Sequence, residues 1–196
     1  GCLYRQEVSG PAMKPFAPFM LVILLMWHAY EGATQAYVDS ITLDEFPHYL
    51  GGLDHWTAGT ARVNLEHPPL AKLLGTLPAK MKGLTAPEIP ETGLGRDIDT
   101  AKVAHRLLIH EPDHREALWE GRILLLFFPL LCIVSVFALV WRMGGATAAV
   151  FSALMTAIDP NLLFHGHLIT TDVPLTALLL AGAWACDSHL QRPRRL

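Results

Sequence analysis

The sequence predicts an all-α integral membrane protein of about four transmembrane helices, with a long outer loop that carries juxtamembrane amphipathic helices. Three observations predict it. Of 196 residues, 52% are apolar and only 17% are charged, and the mean hydropathy of +0.32 lies above that of an ordinary soluble domain. The apolar residues gather into four stretches, and short basic sites flank them. A net charge of −3 and an isoelectric point near 6.4 provide no basic face, which excludes nucleic-acid binding.

Residues 1–12 precede Met13-Lys14, which opens directly into the first apolar stretch, and are read as upstream residues. That stretch, about residues 16–38, is apolar through PFAPFMLVILLMWHAY and then turns to Glu31 and Gln35, as a helix does where its outer end meets water or protein. No small-residue cleavage site follows it, so it is read as a retained helix and not a signal peptide. His28 lies within it, either packed against a neighbouring helix or functional. The second stretch, residues 123–141, runs ILLLFFPLLCIVSVFALVW without a charge, close to the roughly 20 residues that cross a bilayer. The third and fourth, about 144–160 and 171–187, are shorter, and the joining DPNLLFHGHLITTD could extend both at a polar mouth. These two segments also fit a buried hairpin of a soluble core. The cysteines, Cys2, Cys132 and Cys186, are too scattered for a disulfide framework.

Charge orients the spans. Residues 39–122 carry more acids than Lys plus Arg, whereas Arg5 with Lys14, Arg142, and Arg192 with Arg194 and Arg195 form net basic sites. The positive-inside bias puts those sites in the cytoplasm and residues 39–122 and 159–172 on the outer face. Within the long loop, PPLAKLLGTLPAKM repeats Leu70, Leu73, Leu74, Leu77 and Met81 at helical spacing with Lys72 on the far side, which predicts a helix along the membrane surface. A second helix is expected from Thr100, capped after Asp97 and Asp99, through Leu108 until EPD interrupts it, with residues 83–96 as a loop between the two.

Three constellations could carry chemistry. In LDEFPHYLGG, residues 43–52, the adjacent Asp44 and Glu45 sit near a low-dielectric wall that can push two proton affinities apart and leave one as a general base. Adjacent acids also fit a solvated loop. In RVNLEHPPLAK, residues 62–72, a Pro pair stiffens the backbone beside Glu66 and His67, which suits a metal ligand or a phosphate contact, and equally an acidic helix start. In DPNLLFHGHLITTDVPL, residues 159–175, Asp172 is placed to cap the fourth helix with Pro174 in its first turn. His165 and His167, two apart, are expected to bond to the loop in preference to zinc, and a zinc site is expected to be weak or absent.

The order DE, HPPLAK, a span, DPNLL and TTDVPL resembles the N-terminal part of the GT-C glycosyltransferases, in particular the bacterial branch akin to protein O-mannosyltransferases and the aminoarabinose transferase of lipid A. The resemblance covers residues 13 to about 190. It implies a multi-pass enzyme of the bacterial inner membrane that transfers a sugar, with inversion, from a polyprenyl-phosphate donor to an acceptor on the outer face: a protein, lipid A or another glycan. It implies Asp44 as the base toward the acceptor hydroxyl, with Glu45 supporting it or holding the acceptor, and Asp172 as a second acid of the cavity. His67 stands where some relatives carry Lys beside the donor phosphate, Arg122 matches a basic residue that could meet that phosphate, and Glu66 is linked to a divalent metal in some members. His165 and His167 remain further cavity candidates. Complete members continue with more spans, so the chain is expected to be an N-terminal fragment, inactive by itself. Two other classes compete: a transporter or channel-like module with an ion path through Asp44, Asp172 and the histidines, and a non-catalytic homologue that binds a lipid-linked glycan.

Overall fold

The computed structural model describes residues 13–59, 62–88 and 96–190, and no strand occurs among them. The basic sites at Arg5 and at Arg192, Arg194 and Arg195, the upstream residues 1–12 with Cys2, and residues 89–95 of the expected 83–96 loop lie outside the described residues. So do the side chains of Asp97, Asp99 and Thr100.

Helix α1 (Ala17–Val38) begins behind Pro15 and ends where Asp39 turns extended. Residues 39–122 are no open loop. They fold into α2 (Glu45–Ala58), α3 (Pro69–Gly75), α4 (Leu77–Met81), α5 (Arg96–His110) and α6 (Pro112–Leu125). Prolines at the first positions of α3 and α6 cost no hydrogen bond there and fix the starting φ. The surface helix expected over PPLAKLLGTLPAKM is broken at Thr76, whose hydroxyl donates back to the Lys72 carbonyl at 2.6 Å. The ends of its apolar stripe, Leu70 and Met81, are exposed, Leu73, Leu74 and Leu77 are half-buried, and Ala71, Gly75 and Ala79 pack inward. Lys72, expected on the far side, is buried. Helix α5 begins at Arg96, so Thr100 lies inside it and does not cap it.

The second and third apolar stretches form α7 (Phe127–Ala157), which Gly145 divides with φ 77° and ψ −174°, a conformation closed to residues with a side chain. The chain reverses there. Arg142 pairs with Asp187 near the end of α9 at 3.1 Å, and His28 in mid-α1 donates to the carbonyl of Ala157 at 2.8 Å. After the short α8 (Pro160–His165), whose start Asp159 caps by accepting from Leu162 N at 2.9 Å, α9 (Asp172–Leu190) returns beside α7. Asp172 is the first residue of α9, one position inside the expected cap. Helix α1, the two halves of α7, and α9 therefore alternate in direction.

Two cores hold this arrangement. Ala146, Ala149, Ala153 and Ala157 lay a ladder of small residues against α1, which lets the backbones approach closely, with Leu24, Ile133 and Phe137 filling the rest. A second core, built on Tyr49, Leu50, Leu53, Leu108, Leu118 and Leu125, joins α2, α5 and α6 to the N-terminal ends of α7 and α9. Among the described residues two helical stretches, Pro112–Ala157 and Asp172–Leu190, are long and apolar enough to cross a membrane. Phe19, Met26, Phe151, Leu175 and Leu179 stay exposed along α1, α7 and α9.

Candidate functional site

The polar residues singled out in the sequence meet at one end of the bundle, in two groups. The first is buried. Arg122, from the last turn of α6, meets Glu45 at the start of α2 through Nε to Oε1 at 2.8 Å and Nη2 to Oε2 at 2.6 Å. Nη1 donates to the carbonyls of Ala36 and Asp39, both at 2.9 Å, and Nη2 to that of Ser40 at 3.1 Å. All five guanidinium donors are thus engaged. Glu45, fully buried, also accepts from Thr42 N, Thr42 Oγ1 and Ile169 N. The pair ties the end of α1, the start of α2, α6 and the segment before α9 into one unit.

His167 completes this group. Its Nδ1 donates to Leu163 O at 3.3 Å and its Nε2 stands 3.3 Å from Asp39 Oδ2, outside hydrogen-bond geometry. Burial, reinforced by the Arg122 charge, lowers its pKa below the ordinary histidine value against the opposing pull of Asp39. His165 is elsewhere, half-buried with its ring 4.9 Å from that of Phe164, so the two histidines do not converge.

The second group is open. Asp44 is exposed beside the buried Glu45, and its carbonyl accepts from His48 Nδ1 at 2.6 Å. The His48 ring lies 4.8 Å from that of His67, whose Nδ1 is hydrogen-bonded to the Thr171 hydroxyl at 3.3 Å, one residue before the exposed Asp172. Beneath them Lys72 Nζ donates to Asn64 O at 2.5 Å and Asn64 Oδ1 at 3.2 Å. Asn64 takes the left-handed φ of 55° and donates through its amide to Glu66 Oε1 at 3.2 Å, so HPP is presented on a folded turn and Glu66 points to solvent. Burial lowers the pKa of His48, helped by the neighbouring His67 and Lys72, and burial also lowers that of Lys72, opposed by Glu66. His48 Nε2 is buried with no hydrogen-bond partner among the described residues. Since Nδ1 holds the donated proton, neutral His48 offers a lone pair at Nε2.

The structure therefore brings Asp44, His67 and Asp172 to one rim and sets Glu45, Arg122 and His167 behind it. Among the described residues no three His, Cys, Asp or Glu side chains converge as a metal cage. His48 was missed in the sequence; its signal is the i, i+4 spacing from Asp44, which counts only once residues 45–58 are known to be helical. Asp54, buried and paired with Arg62 across the turn that follows α2, was missed as well.

Comparison with known proteins agrees with part of this picture. Residues 114–195 match the model of the dolichyl-phosphate-mannose-protein mannosyltransferase family. The match takes in most of α6, with Arg122, and α7 to α9, with His165, His167 and Asp172, and stops short of Asp44, Glu45, Glu66 and His67. No curated protein and no solved structure matches the chain. Over the matched stretch the chain is similar to the GT-C mannosyltransferases, which supports a glycosyltransferase drawing its sugar from a lipid-phosphate donor.

Proposed function

We propose that the protein is the catalytic part of an inverting membrane glycosyltransferase that takes a sugar from a polyprenyl-phosphate donor and attaches it to a hydroxyl acceptor at the outer face of the bacterial inner membrane. In this reading α1, the two halves of α7, and α9 are four spans, and the rim formed by Asp44, His67 and Asp172 faces outward. The observation that carries it is the division of labour between neighbours: Glu45 is fully engaged and buried, while Asp44, one residue earlier, is exposed on the rim that holds His67 and overlies Lys72.

The chemistry follows from those residue types. The acceptor oxygen attacks the anomeric carbon from the face opposite the phosphate, its proton passes to the Asp44 carboxylate, and the bond from the anomeric carbon to the phosphate oxygen breaks with its electron pair on the phosphate. Positive charge must stand near that departing oxygen, and His67 and Lys72 are the groups at hand. Arg122, with every donor occupied, acts here as a positioning residue that fixes the start of α2 and hence Asp44. Asp172, exposed next to Thr171, can hold a sugar hydroxyl.

The test is a transfer assay with a polyprenyl-phosphate sugar donor. Asp44→Asn should lower turnover by roughly 10²–10⁴-fold with donor binding kept. His67→Ala should instead weaken donor binding by about tenfold or more, since a hydrogen bond to a charged group is worth roughly 1.5–3 kcal/mol. Near wild-type turnover in Asp44→Asn removes the base assignment and makes Asp172 the next carboxylate to examine.

A further inference from the structure

Of the buried side-chain polar atoms left without a hydrogen-bond partner among the described residues, one belongs to the open group at the rim: His48 Nε2. A buried hydroxyl such as that of Thr170 can turn its proton toward a new partner, whereas a ring nitrogen is fixed. His48 is only 5% exposed, so bulk water does not serve as the missing partner. A buried polar atom left in this way costs free energy, and a ligand that satisfies it recovers that cost.

The chemistry of the atom is defined. Nδ1 spends its proton on the Asp44 carbonyl at 2.6 Å, and burial, the largest influence on the ring, lowers its pKa and keeps it neutral. Nε2 therefore presents a lone pair and can only accept. A phosphate oxygen is an acceptor too and cannot be its partner; a hydroxyl can. Beyond burial and the Asp44 carbonyl, the charges that act on the ring are those of His67, Lys72 and Asp44. His48 thus touches both sides of the reaction, with Asp44 one helical turn before it and the His67 ring 4.8 Å away. In an inverting displacement the attacked carbon lies between the attacking and the departing oxygen. The anomeric carbon falls beside His48 on that line, and the sugar hydroxyl nearest to it is the one on the adjacent ring carbon, the 2-hydroxyl.

We propose that His48 is a specificity-determining residue of the transfer, its Nε2 accepting a hydrogen bond from the 2-hydroxyl of the donor sugar. The role rests on the transferase reading above. The His67 ring packed on His48 is held to the Thr171 hydroxyl by one hydrogen bond of 3.3 Å, and its movement onto the donor phosphate opens the way to Nε2. A sugar with no donor at that position leaves the lone pair buried and unpaired, which is how such a site rejects it.

The experiment measures binding by titration calorimetry, in detergent and without acceptor, of farnesyl phosphate mannoside and of its 2-deoxy and 2-deoxy-2-fluoro analogues. Mannose is chosen for the lipid-linked sugar of the matched family. The parent compound should bind about tenfold more tightly than either analogue. Fluorine fills much of the space of the hydroxyl and cannot donate, so a fluoro analogue that binds like the parent overturns the proposal. His48→Phe keeps a ring against His67 and removes both nitrogens; it should weaken the parent to the level of the analogues and leave theirs unchanged. His48→Gln, with an N–H for the Asp44 carbonyl and an oxygen acceptor, should keep part of the preference, and it carries the test where His48→Phe does not fold. A preference undiminished in His48→Phe, or absent in a folded His48→Gln, overturns the role of His48. Donor binding without any preference in the wild type overturns this inference alone, whereas a mannosyl donor that does not bind overturns the transferase reading and this inference with it.

Discussion

The guanidinium of Arg122 and the carboxylate of Glu45, 77 residues apart, face each other through two parallel hydrogen bonds, Nε to Oε1 and Nη2 to Oε2, with both side chains buried. A buried pair with every donor and acceptor engaged fixes geometry more than it adds stability, because the attraction is largely offset by desolvation of both ions. Removing one partner is another matter.

Arg122→Gln leaves Glu45 as an uncompensated buried charge and should destabilise the protein by about 3–5 kcal/mol. Arg122→Lys cannot supply the five-donor fork and should fall between that variant and wild type. Thermal unfolding in detergent measures both, and the double variant with Glu45→Gln should cost less than the sum of the single changes. A loss under about 1 kcal/mol for Arg122→Gln is what a solvated surface pair would give.

Gly121 in α6 lies against the backbone of α3, where an added Cβ would overlap the Gly75 carbonyl. The obstacle is backbone on both sides, so Gly121→Ala should cost about 3 kcal/mol, at the upper end of ordinary overpacking. Gly182→Ala in α9 meets no neighbouring atom and should be neutral or gain up to about 1 kcal/mol of helix propensity. Equal melting temperatures for the two variants contradict the α3–α6 approach.

Acid should destabilise the helices that lie between α1 and α7. Burial lowers the pKa of His48, His114 and His167 in the folded protein from the ordinary 6.5. Below 6.5 the unfolded chain then binds more protons than the folded one, so stability falls as pH drops from 6.5 toward the depressed folded values and is flat with respect to these groups above it. Melting temperature against pH in detergent measures this, and a His48→Gln/His114→Gln variant should show a shallower slope. A melting temperature that rises on acidification through this range has the opposite sign and refutes it.

For orientation, Glu88→Cys in a background of Cys2→Ala, Cys132→Ala and Cys186→Ala should react with a membrane-impermeant maleimide in intact cells, because the short basic sites favour the cytoplasm. Reaction only after permeabilisation would turn the proposed mechanism to the other side of the membrane.

The sequence by itself determined the local chemistry of this protein. Apolar length marked α1, α7 and α9; Asp159-Pro160 and Pro174 marked where helices start, and Pro112 where α5 stops, though α6, which begins at that proline, was not foreseen; and the polar groups were confined to the ends of apolar runs. Gly145 divides the second and third stretches where a reversal was expected: Arg142 ends the apolar run, and the glycine takes the positive φ of 77° at which the helix breaks.

Tertiary structure decided which polar groups are free. Asp44 and Glu45 are indistinguishable neighbours in sequence, and Arg122, distant in the chain, engages one and leaves the other on the rim. Helix α2 itself was hidden, since Pro47 and Gly51-Gly52 argue against a helix by propensity. Those glycines are what packing requires: Gly51 faces the Val63 carbonyl, and Gly52 faces the Lys72 carbonyl and Thr76 so closely that no side chain fits. Lys72 was placed outward by helical periodicity, yet Asn64, folded over it in a left-handed turn, supplies two acceptors that hold its ammonium inside. Periodicity reports where apolar side chains should point; it carries no information on a partner that arrives from a distant turn, and such partners set the site.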